Sequence, residues 1–364
     1  MAQYTESTSE VVDTLKDSGL NEETTSAIEA LLENNSTGDE TTIQAYDGTA
    51  PEDGTTILTV GSGQTLSEDP GTPIIIMDAD APAATVVLNT DTTDRVLVAG
   101  SGDDSITTTG DGNVTVETGG GNDSVITGSG EDMITVTGSG DSSVATGGGN
   151  DTIILTGDGA PTVDAGDGND VIVVGTDQGA ATVDGGTGFD QGNVDDHRSQ
   201  HSITIENGVV TLNSAPIQIE NIEVIQYNDG ISILGDGNVE SAAGRMYEVL
   251  FDREADLGGL EHWFGKADSG NTLEDIASGF LGSQEYSNWY ESQETNTNSD
   301  FLDHLYQSGF GREADAEGKE YWLNRMSEGM THAEVLSSFA SSDEAVQLMG
   351  INGTQYVIDI DSGQ

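Results

Sequence analysis

The residues of this sequence that could do chemistry are aspartates that follow paired glycines at a fixed distance. The pattern Gly-x-Gly-x-Asp occurs six times between residues 100 and 190. Its glycine and aspartate positions are Gly100, Gly102 and Asp104; Gly119, Gly121 and Asp123; Gly128, Gly130 and Asp132; Gly147, Gly149 and Asp151; Gly166, Gly168 and Asp170; and Gly186, Gly188 and Asp190. Glycine lets the backbone turn sharply and direct its carbonyl oxygens inward, and each aspartate adds a carboxylate. Such oxygen ligands predict Ca²⁺ sites rather than Zn²⁺ or Cu²⁺ sites, and Mg²⁺ fits less well because it demands octahedral geometry.

The spacing of the glycines predicts the fold that must position these aspartates. Gly-x-Gly starts recur every 9 or 10 residues from Gly100, and most are followed by a short segment rich in Thr, Val and Ile, such as 124–127 or 152–155. A repeated short turn and short strand predicts a coil with two strands, whose stacked copies form two parallel sheets with turns along both edges. A Gly/Asp/Thr-rich linker is the alternative, but linkers do not keep a strand motif at fixed phase.

The repeat resembles the nonapeptide GGxGxDxUx of the RTX (repeats-in-toxin) family, which forms a calcium-bound parallel β-roll. The resemblance implies that an ion lies between successive turns on one edge, so that copies two apart share it. The copies starting at 128, 147, 166 and 186 would then form three sites on one edge, and those at 100 and 119 one site on the other. The copies that start at 110, 138, 157 and 175 depart from the motif; those at 138 and 157 have Ser142 and Pro161 in place of the last aspartate. We therefore expect about four Ca²⁺ ions, whose binding is coupled to folding.

Composition limits the classes of function. The 364 residues include 66 Asp and Glu but only 9 Lys and Arg, which gives a formal net charge of −57. This charge repels nucleic acid phosphates and anionic membranes, so we expect neither as a partner. Low hydrophobicity with high net charge is typical of disorder, so a folded state needs a special device, for which cations are the obvious candidate. The absence of cysteine excludes disulfides and thiolate chemistry. No apolar run is long enough to span a membrane, and the first residues lack the features of a secretory signal peptide.

Shifts in composition divide the chain into six segments. Together they predict a multidomain fold in which β-structure precedes α-structure. The β part is a calcium-bound parallel β-roll or β-solenoid with strand caps, and the α part is an all-α duplicated domain. The segments are an acidic helical arm at 1–40, a β-rich N-terminal cap at 41–99, the RTX-like β-roll at 100–192, a β-rich C-terminal cap at 193–238, the helical domain at 239–350 and a tail at 351–364. For the arm, a partly ordered segment and a docked helix both remain open.

The helical domain is a duplication with an offset of 59 residues, with copies at about 242–290 and 301–349. The paired aromatic residues, which we expect in the core, are Tyr247 and Tyr306, Trp263 and Trp322, and Phe280 and Phe339. The blocks 253–256 and 312–315 both read Arg-Glu-Ala-Asp and are expected to form salt bridges or caps. The pattern resembles a domain of unknown function found in bacterial surface-layer and RTX proteins, which implies a structural or assembly role.

The motifs of common enzymes are absent from the sequence. His197 and His201 stand four apart but lack the glutamate of a zinc protease, so a surface pair is the simpler interpretation and a two-histidine metal site the alternative. No Gly-x-Ser-x-Gly or P-loop pattern occurs. We therefore expect no enzymatic activity.

These features predict a secreted, calcium-dependent structural protein that self-assembles into a surface layer, extracellular filament or matrix. A calcium-stabilised adhesin or matrix-associated binding protein is the alternative, with cell-surface polysaccharide as a partner. A secreted polysaccharide-acting enzyme is less favoured, because the solenoid is short and lacks basic residues. The tail alternates apolar and acidic residues and is either an uncleaved signal for type I secretion from a Gram-negative bacterium or a closing strand.

Overall fold

The computed structural model describes residues 3–17, 20–35, 40–48, 51, 55–61, 63–67, 71–77, 83–175, 179–195, 203–206, 209–212, 217–228, 230–234, 238–291, 295–349 and 356–359. The chain divides into two compact units, Met1–Asn221 (unit 1) and Ile222–Gln364 (unit 2). None of the helices in these residues is long and apolar enough to cross a membrane.

Unit 1 is a parallel β-solenoid of about seven turns, which confirms the predicted fold class. Its first sheet contains β3 (Ile57–Val60), β5 (Ile74–Met77), β7 (Arg95–Val98), β9 (Val114–Glu117), β11 (Met133–Val136), β13 (Thr152–Leu155), β15 (Val171–Val174) and β17 (Gln191–Val194). Its second sheet contains β4 (Thr65–Leu66), β6 (Thr85–Asp91), β8 (Ser105–Gly110), β10 (Ser124–Ile126), β12 (Ser143–Ala145), β14 (Thr162–Asp164) and β16 (Thr182–Asp184). The chain alternates between the sheets, and neighbouring strands in each sheet pair in parallel.

The interior of the solenoid consists of aliphatic columns that run from coil to coil. One column of the first sheet is fully buried and comprises Leu58, Ile75, Leu97, Val116, Ile134, Ile153 and Ile172. In the second sheet the matching column begins with Leu66 and Val86 and continues as Ile106, Val125, Val144, Val163 and Val183. β-Branched side chains suit these positions because they pack well on a pleated surface.

The solenoid begins within segment 41–99, before the first Gly-x-Gly copy. The coils formed by β3 to β6 lack the Gly-x-Gly-x-Asp pattern, so the glycine period could not reveal them. Before them, β1 (Gln3–Ser7) pairs antiparallel with β2 (Glu40–Ala45), and β2 pairs in parallel with β3. At the other end, β18 (Ile203–Glu206), β19 (Val209–Leu212) and β20 (Ile217–Glu220) form an antiparallel meander whose last strand pairs in parallel with β16.

The N-terminal segment forms two helices that cover the outer face of the first coils. These are α1 (Thr8–Asp17) and α2 (Glu22–Asn35). Val11, Ile28 and Leu32 pack in one cluster with Ile57 and Ile74 and with other residues of the first sheet. Of the two interpretations left open for this arm, the structure shows the docked helix.

Unit 2 contains β21 (Val224–Tyr227), β22 (Gly230–Ile233) and β23 (Tyr356–Asp359), which pair antiparallel. The helices of the first copy are α3 (Asn238–Phe251), α4 (Leu257–Asp268), α5 (Leu273–Leu281) and α6 (Gln284–Glu291). Those of the second copy are α7 (Asn298–Phe310), α8 (Ala316–Ser327), α9 (His332–Ala340) and α10 (Asp343–Met349). The part of the tail that is described, β23, is therefore a strand; its role in secretion stays a prediction.

The duplicated Arg-Glu-Ala-Asp blocks have the same role in both copies. Arg253 lies over the ring of Tyr247, 4.8 Å from its centroid, and donates to both carboxylate oxygens of Glu285 at 2.7 and 2.8 Å. Arg312 does the same with its own tyrosine and with Glu344. The aspartates that end the blocks cap the N-termini of α4 and α8. Tyr247, Tyr306, Phe280 and Phe339 are buried, and the two tryptophans are half-buried.

The stacking of coils predicts that substitution at one of two adjacent glycines destabilises the fold, while substitution at the other has almost no effect. Gly149 has φ +119°, and a Cβ there would lie 2.1 Å from the carbonyl oxygen of Gly130 in the coil before. Gly148 has an ordinary φ, and its Cβ would approach nothing closer than 3.7 Å. We expect Gly149→Ala to lower the free energy of unfolding by about 1–3 kcal/mol, and Gly148→Ala to change it by less than about 0.5 kcal/mol. Chemical unfolding of both variants measures this, and equal effects would contradict the described stacking.

Candidate metal site

The structure stacks the predicted aspartates along the two edges of the solenoid. Asp132, Asp151, Asp170 and Asp190 follow strands of the second sheet and lie on one edge, termed edge 1. Asp104 and Asp123 follow strands of the first sheet and lie on the other, termed edge 2. All six are at most 3% exposed. The two groups are those that the repeat spacing predicts.

One oxygen of each aspartate ties its coil to the coil before it. On edge 1 the backbone amide of Asp132 donates to Oδ1 of Asp151 at 2.7 Å, and that of Asp151 donates to Oδ1 of Asp170 at 2.7 Å. The series starts at the amide of Val114 and ends at Oδ1 of Asp190. Edge 2 repeats the arrangement, with the amide of Asp104 donating to Oδ1 of Asp123 at 2.9 Å. We call these series the inner ladders.

The second oxygen of four of these carboxylates is buried without a hydrogen-bond partner among the described residues. The atoms are Oδ2 of Asp123, Asp132, Asp151 and Asp170. A buried carboxylate oxygen without a partner is costly, and such groups are rare in folded proteins. Binding of a proton or a cation to these oxygens would offset the cost of burying them.

Burial is the main reason why these carboxyls hold protons more tightly than usual. It raises the pKa of Asp123 and of Asp151 to about 7, and that of Asp132 to about 6. Burial also raises the pKa of Asp170. The stacked neighbours Asp132 and Asp170 add to the rise at Asp151, because like charges disfavour ionisation. The nearby Thr127 hydroxyl and Gly128 amide, which form no hydrogen bond of ordinary geometry with Oδ2, partly oppose the rise in the pKa of Asp132.

Backbone carbonyl oxygens of the same turns point toward the next coil. A Cβ on Gly166 would lie 2.0 Å from the carbonyl oxygen of Gly147, and one on Gly168 would lie 1.8 Å from that of Gly149. The turn that carries Asp151 thus presents two carbonyl oxygens to its neighbour besides the carboxylate. Glycine is needed at both receiving positions because no side chain fits against these carbonyls.

The available donors fit a hard cation whose ligands are mostly carbonyl oxygens. Within the described ranges, no three His, Asp or Glu side chains converge on one point. An ion held here would therefore take a carboxylate oxygen from the inner ladder and complete its shell with backbone oxygens. That set suits Ca²⁺, which tolerates irregular oxygen coordination, better than Zn²⁺.

On edge 2 the turn that ends in Ser142 keeps the structural bond but not the carboxylate of the motif. Oγ of Ser142 accepts the backbone amide of Asp123 at 3.1 Å, as an aspartate Oδ1 would. The following turn has Pro161 at this position. A hydroxyl is therefore sufficient to connect two coils, and only the aspartates leave a second oxygen over.

A second series of bonds runs in the opposite direction and was not predicted from the sequence. On edge 1 the amide of Asn169 donates to Oδ1 of Asn150, and the amide of Phe189 donates to Oδ1 of Asn169. On edge 2 the amide of Asn122 donates to Oδ1 of Asp103, and the amide of Asp141 donates to Oδ1 of Asn122. The recurrence of Asn or Asp directly before the motif aspartate is the signal that could have revealed these outer ladders.

The comparisons with known proteins bear on unit 2 alone. A family described as "Domain of unknown function (DUF4214)" matches residues 240–290 and 277–349, the region of the duplicated helices. The search of curated proteins and the search of solved structures each found no match. A solenoid of about seven turns is compatible with an RTX β-roll. The histidine pair 197 and 201 lies outside the described residues.

The raised pKa values predict that acid stabilises the solenoid when no divalent cation is present. The folded inner ladders keep protons that the unfolded chain releases near pH 4. Their contribution to stability is fully present below that pH and is lost as pH rises through the folded values of about 6 to 7. In excess chelator, the urea midpoint followed by circular dichroism should fall between pH 5 and 7.5.

The control for this experiment is a double variant, Asp123→Asn with Asp151→Asn. Both amides keep an oxygen for the ladder bond but do not titrate, so the fall in midpoint should become shallower. The single variant Asp158→Asn removes an exposed carboxylate from the degenerate turn at 157–161 and should retain the full fall. A wild-type midpoint that is constant or rises between pH 5 and 7.5 would refute the role of the ladders.

Proposed function

We propose that this chain is a secreted, calcium-dependent structural protein whose RTX-like β-roll folds on binding Ca²⁺ and then self-assembles into a surface layer, extracellular filament or matrix. The observation that carries the proposal is the inner ladder, in which Oδ2 of Asp123, Asp132, Asp151 and Asp170 is buried without a hydrogen-bond partner among the described residues. Calcium between successive turns supplies the missing interaction. About four ions are expected from the complete motifs.

The coupling to folding follows from electrostatics. At neutral pH the stacked carboxylates repel one another across neighbouring coils, which are about 4.8 Å apart. A cation that binds only the folded coil stabilises it, by about 2.7 kcal/mol per site at a hundredfold excess over Kd. The folded chain is therefore least stable where free calcium is scarce, and calcium drives its folding outside the cell, where the ion is abundant.

Assembly is supported by the edge strands that flank the solenoid and by the charge of the chain. β1 and β18 each lie at an edge of a sheet and pair on one side with a described strand. Edge strands offer backbone groups to another chain. About four Ca²⁺ would offset only about eight of the 57 net negative charges. Further cations between acidic faces of neighbouring copies would then let like molecules pack closely.

A calcium-stabilised adhesin or matrix-associated binding protein is the second candidate. It requires the same calcium-dependent fold but no ordered polymer. Its supporting observation is a pocket in unit 2, which is described below.

Asp151→Asn should separate the two functions of the ladder carboxylate. The amide keeps an acceptor for the backbone amide of Asp132 but removes the buried charge and the second carboxylate oxygen. In chelator the variant should retain at least as much β-structure as the wild type. In a calcium titration it should bind fewer ions and need more calcium to fold. Asp158→Asn, which removes one exposed charge, is the matched control and should behave like the wild type in both arms. An unchanged ion count in Asp151→Asn would exclude this edge as the binding site.

Adding calcium to the pure protein should produce ordered polymers. The measurement combines sedimentation with electron microscopy of negatively stained samples, over a range of protein and calcium concentrations. Circular dichroism on the same samples separates folding from assembly. If the protein gains β-structure but remains monomeric at every concentration, the assembly role is excluded and the adhesin remains. If its β-structure does not respond to calcium, both functions are excluded.

A further inference from the structure

A pocket of about 290 Å³ lies in unit 2, between the end of α6, the start of α7 and the start of α9. Its aromatic wall consists of Tyr286, Trp289 and Tyr290. The pocket marks a place where the two helical copies differ. The positions 59 residues later are Ala345, Leu348 and Met349. The second copy therefore forms its last helix without any of these rings.

The aromatic wall is partly a surface and not only a packing contact. Tyr290 is 38% exposed, Trp289 is half-buried and Tyr286 is buried. The ring centroids of Tyr286 and Trp289 are 5.5 Å apart, and those of Tyr286 and Tyr290 are 5.7 Å apart. The three rings pack against one another, and Trp289 also stacks on His304 with ring centroids 4.0 Å apart, so the accessible ring of this wall is that of Tyr290.

The remaining lining groups are the ring of Phe301, which stacks on His332 with centroids 4.2 Å apart, and polar residues that carry no positive charge. Nε2 of His304 lies 2.6 Å from the carbonyl oxygen of Leu250, and burial lowers the pKa of His304. Burial also lowers the pKa of His332, so both imidazoles are neutral at neutral pH. No Lys or Arg occurs among the described residues that line the pocket.

The carboxylates of the pocket already have partners. Asp300 accepts the amide and the hydroxyl of Thr297, and these bonds lower the pKa of Asp300. Asp303 forms an ion pair with Lys319. The side-chain amides of Asn296 and Gln307 complete the polar rim.

We infer that this pocket binds a neutral pyranose ring of a polysaccharide. The apolar C–H face of a pyranose matches the exposed ring of Tyr290 at the end of the aromatic wall, and its hydroxyls match the amide, imidazole and carboxylate groups at the rim. The volume lies at the lower end of the roughly 300–1,000 Å³ typical of small-molecule sites, which suits one ring. The inference goes beyond the proposed assembly role and does not require it.

Charge and geometry disfavour the other ligand classes. An acidic sugar or a phosphate would meet carboxylates and no cation, in a chain of net charge −57. A quaternary ammonium group is held by rings that surround it. Here the rings of Tyr286, Trp289 and Tyr290 pack against one another instead.

The test uses the full chain in saturating calcium and saturation-transfer NMR with the methyl glycosides of glucose, galactose, mannose and N-acetylglucosamine. At least one of these should bind the wild type. Tyr290→Ala and Gln307→Ala should each weaken that binding by about tenfold or more. Tyr321→Ala removes another exposed tyrosine of unit 2, which is 56% exposed and outside the pocket, and should bind like the wild type.

Choline and galacturonate serve as the cationic and anionic probes. Binding of either one without binding of a neutral glycoside would overturn the inference, as would no binding at all. Equal binding by the wild type and both pocket variants, with the thermal unfolding of the variants unchanged, would also overturn it. Because saturation transfer reports binding to large particles as well as to monomers, the result is independent of whether calcium produces polymers.

Discussion

The stability of the solenoid depends on how its turn aspartates divide their two carboxylate oxygens. In Asp132, Asp151 and Asp170, Oδ1 accepts an amide of the preceding coil, while Oδ2 is buried with no hydrogen-bond partner in the described part of the chain. Ser142 makes the same connection with a hydroxyl and carries no charge. Connection between coils therefore does not require aspartate. The charge is a separate feature, and it makes the folded coil depend on a proton or a cation.

Different coils of the same solenoid are stabilised in different ways. The first coils have apolar outer residues, Ile57 and Ile74 among them, which α1 and α2 cover. The later coils have Gly-x-Gly-x-Asp turns, and the outer face of β13 carries both Thr152 and Ile154, which are half-buried. The helices remove the outer apolar side chains of these coils from water, and this burial stabilises the coils without an ion. The conditional part of the fold is thus confined to the coils that carry the ladders.

The sequence allowed prediction of those parts of the fold that repeat at a fixed phase. The glycine period predicted the two sheets and the grouping of the aspartates on two edges, and the offset of 59 residues predicted the paired helices. The coils of β3 to β6 were not predicted as solenoid, because aliphatic columns can be built from strands of varied spacing without glycine turns. The outer ladders were missed because they connect residues about 19 positions apart, and the recurring Asn or Asp before the motif aspartate was not recognised as their acceptor. The pocket was missed for the opposite reason, since Trp289 and Tyr290 have no aromatic counterparts in the second copy.

The distribution of basic residues shows why the countercharge of the solenoid must come from outside the chain. Several of the nine lysines and arginines are already engaged locally: Lys16 with Glu29, Arg253 with Glu285, Arg312 with Glu344 and Lys319 with Asp303. Between residues 83 and 175, Arg95 is the only basic residue. The ladder carboxylates therefore cannot be neutralised by internal pairing at neutral pH, and solution cations are the remaining source of countercharge. The same excess of negative charge also limits which partners can bind. It repels anionic partners, so a partner that binds this surface without a bridging cation is neutral or positively charged.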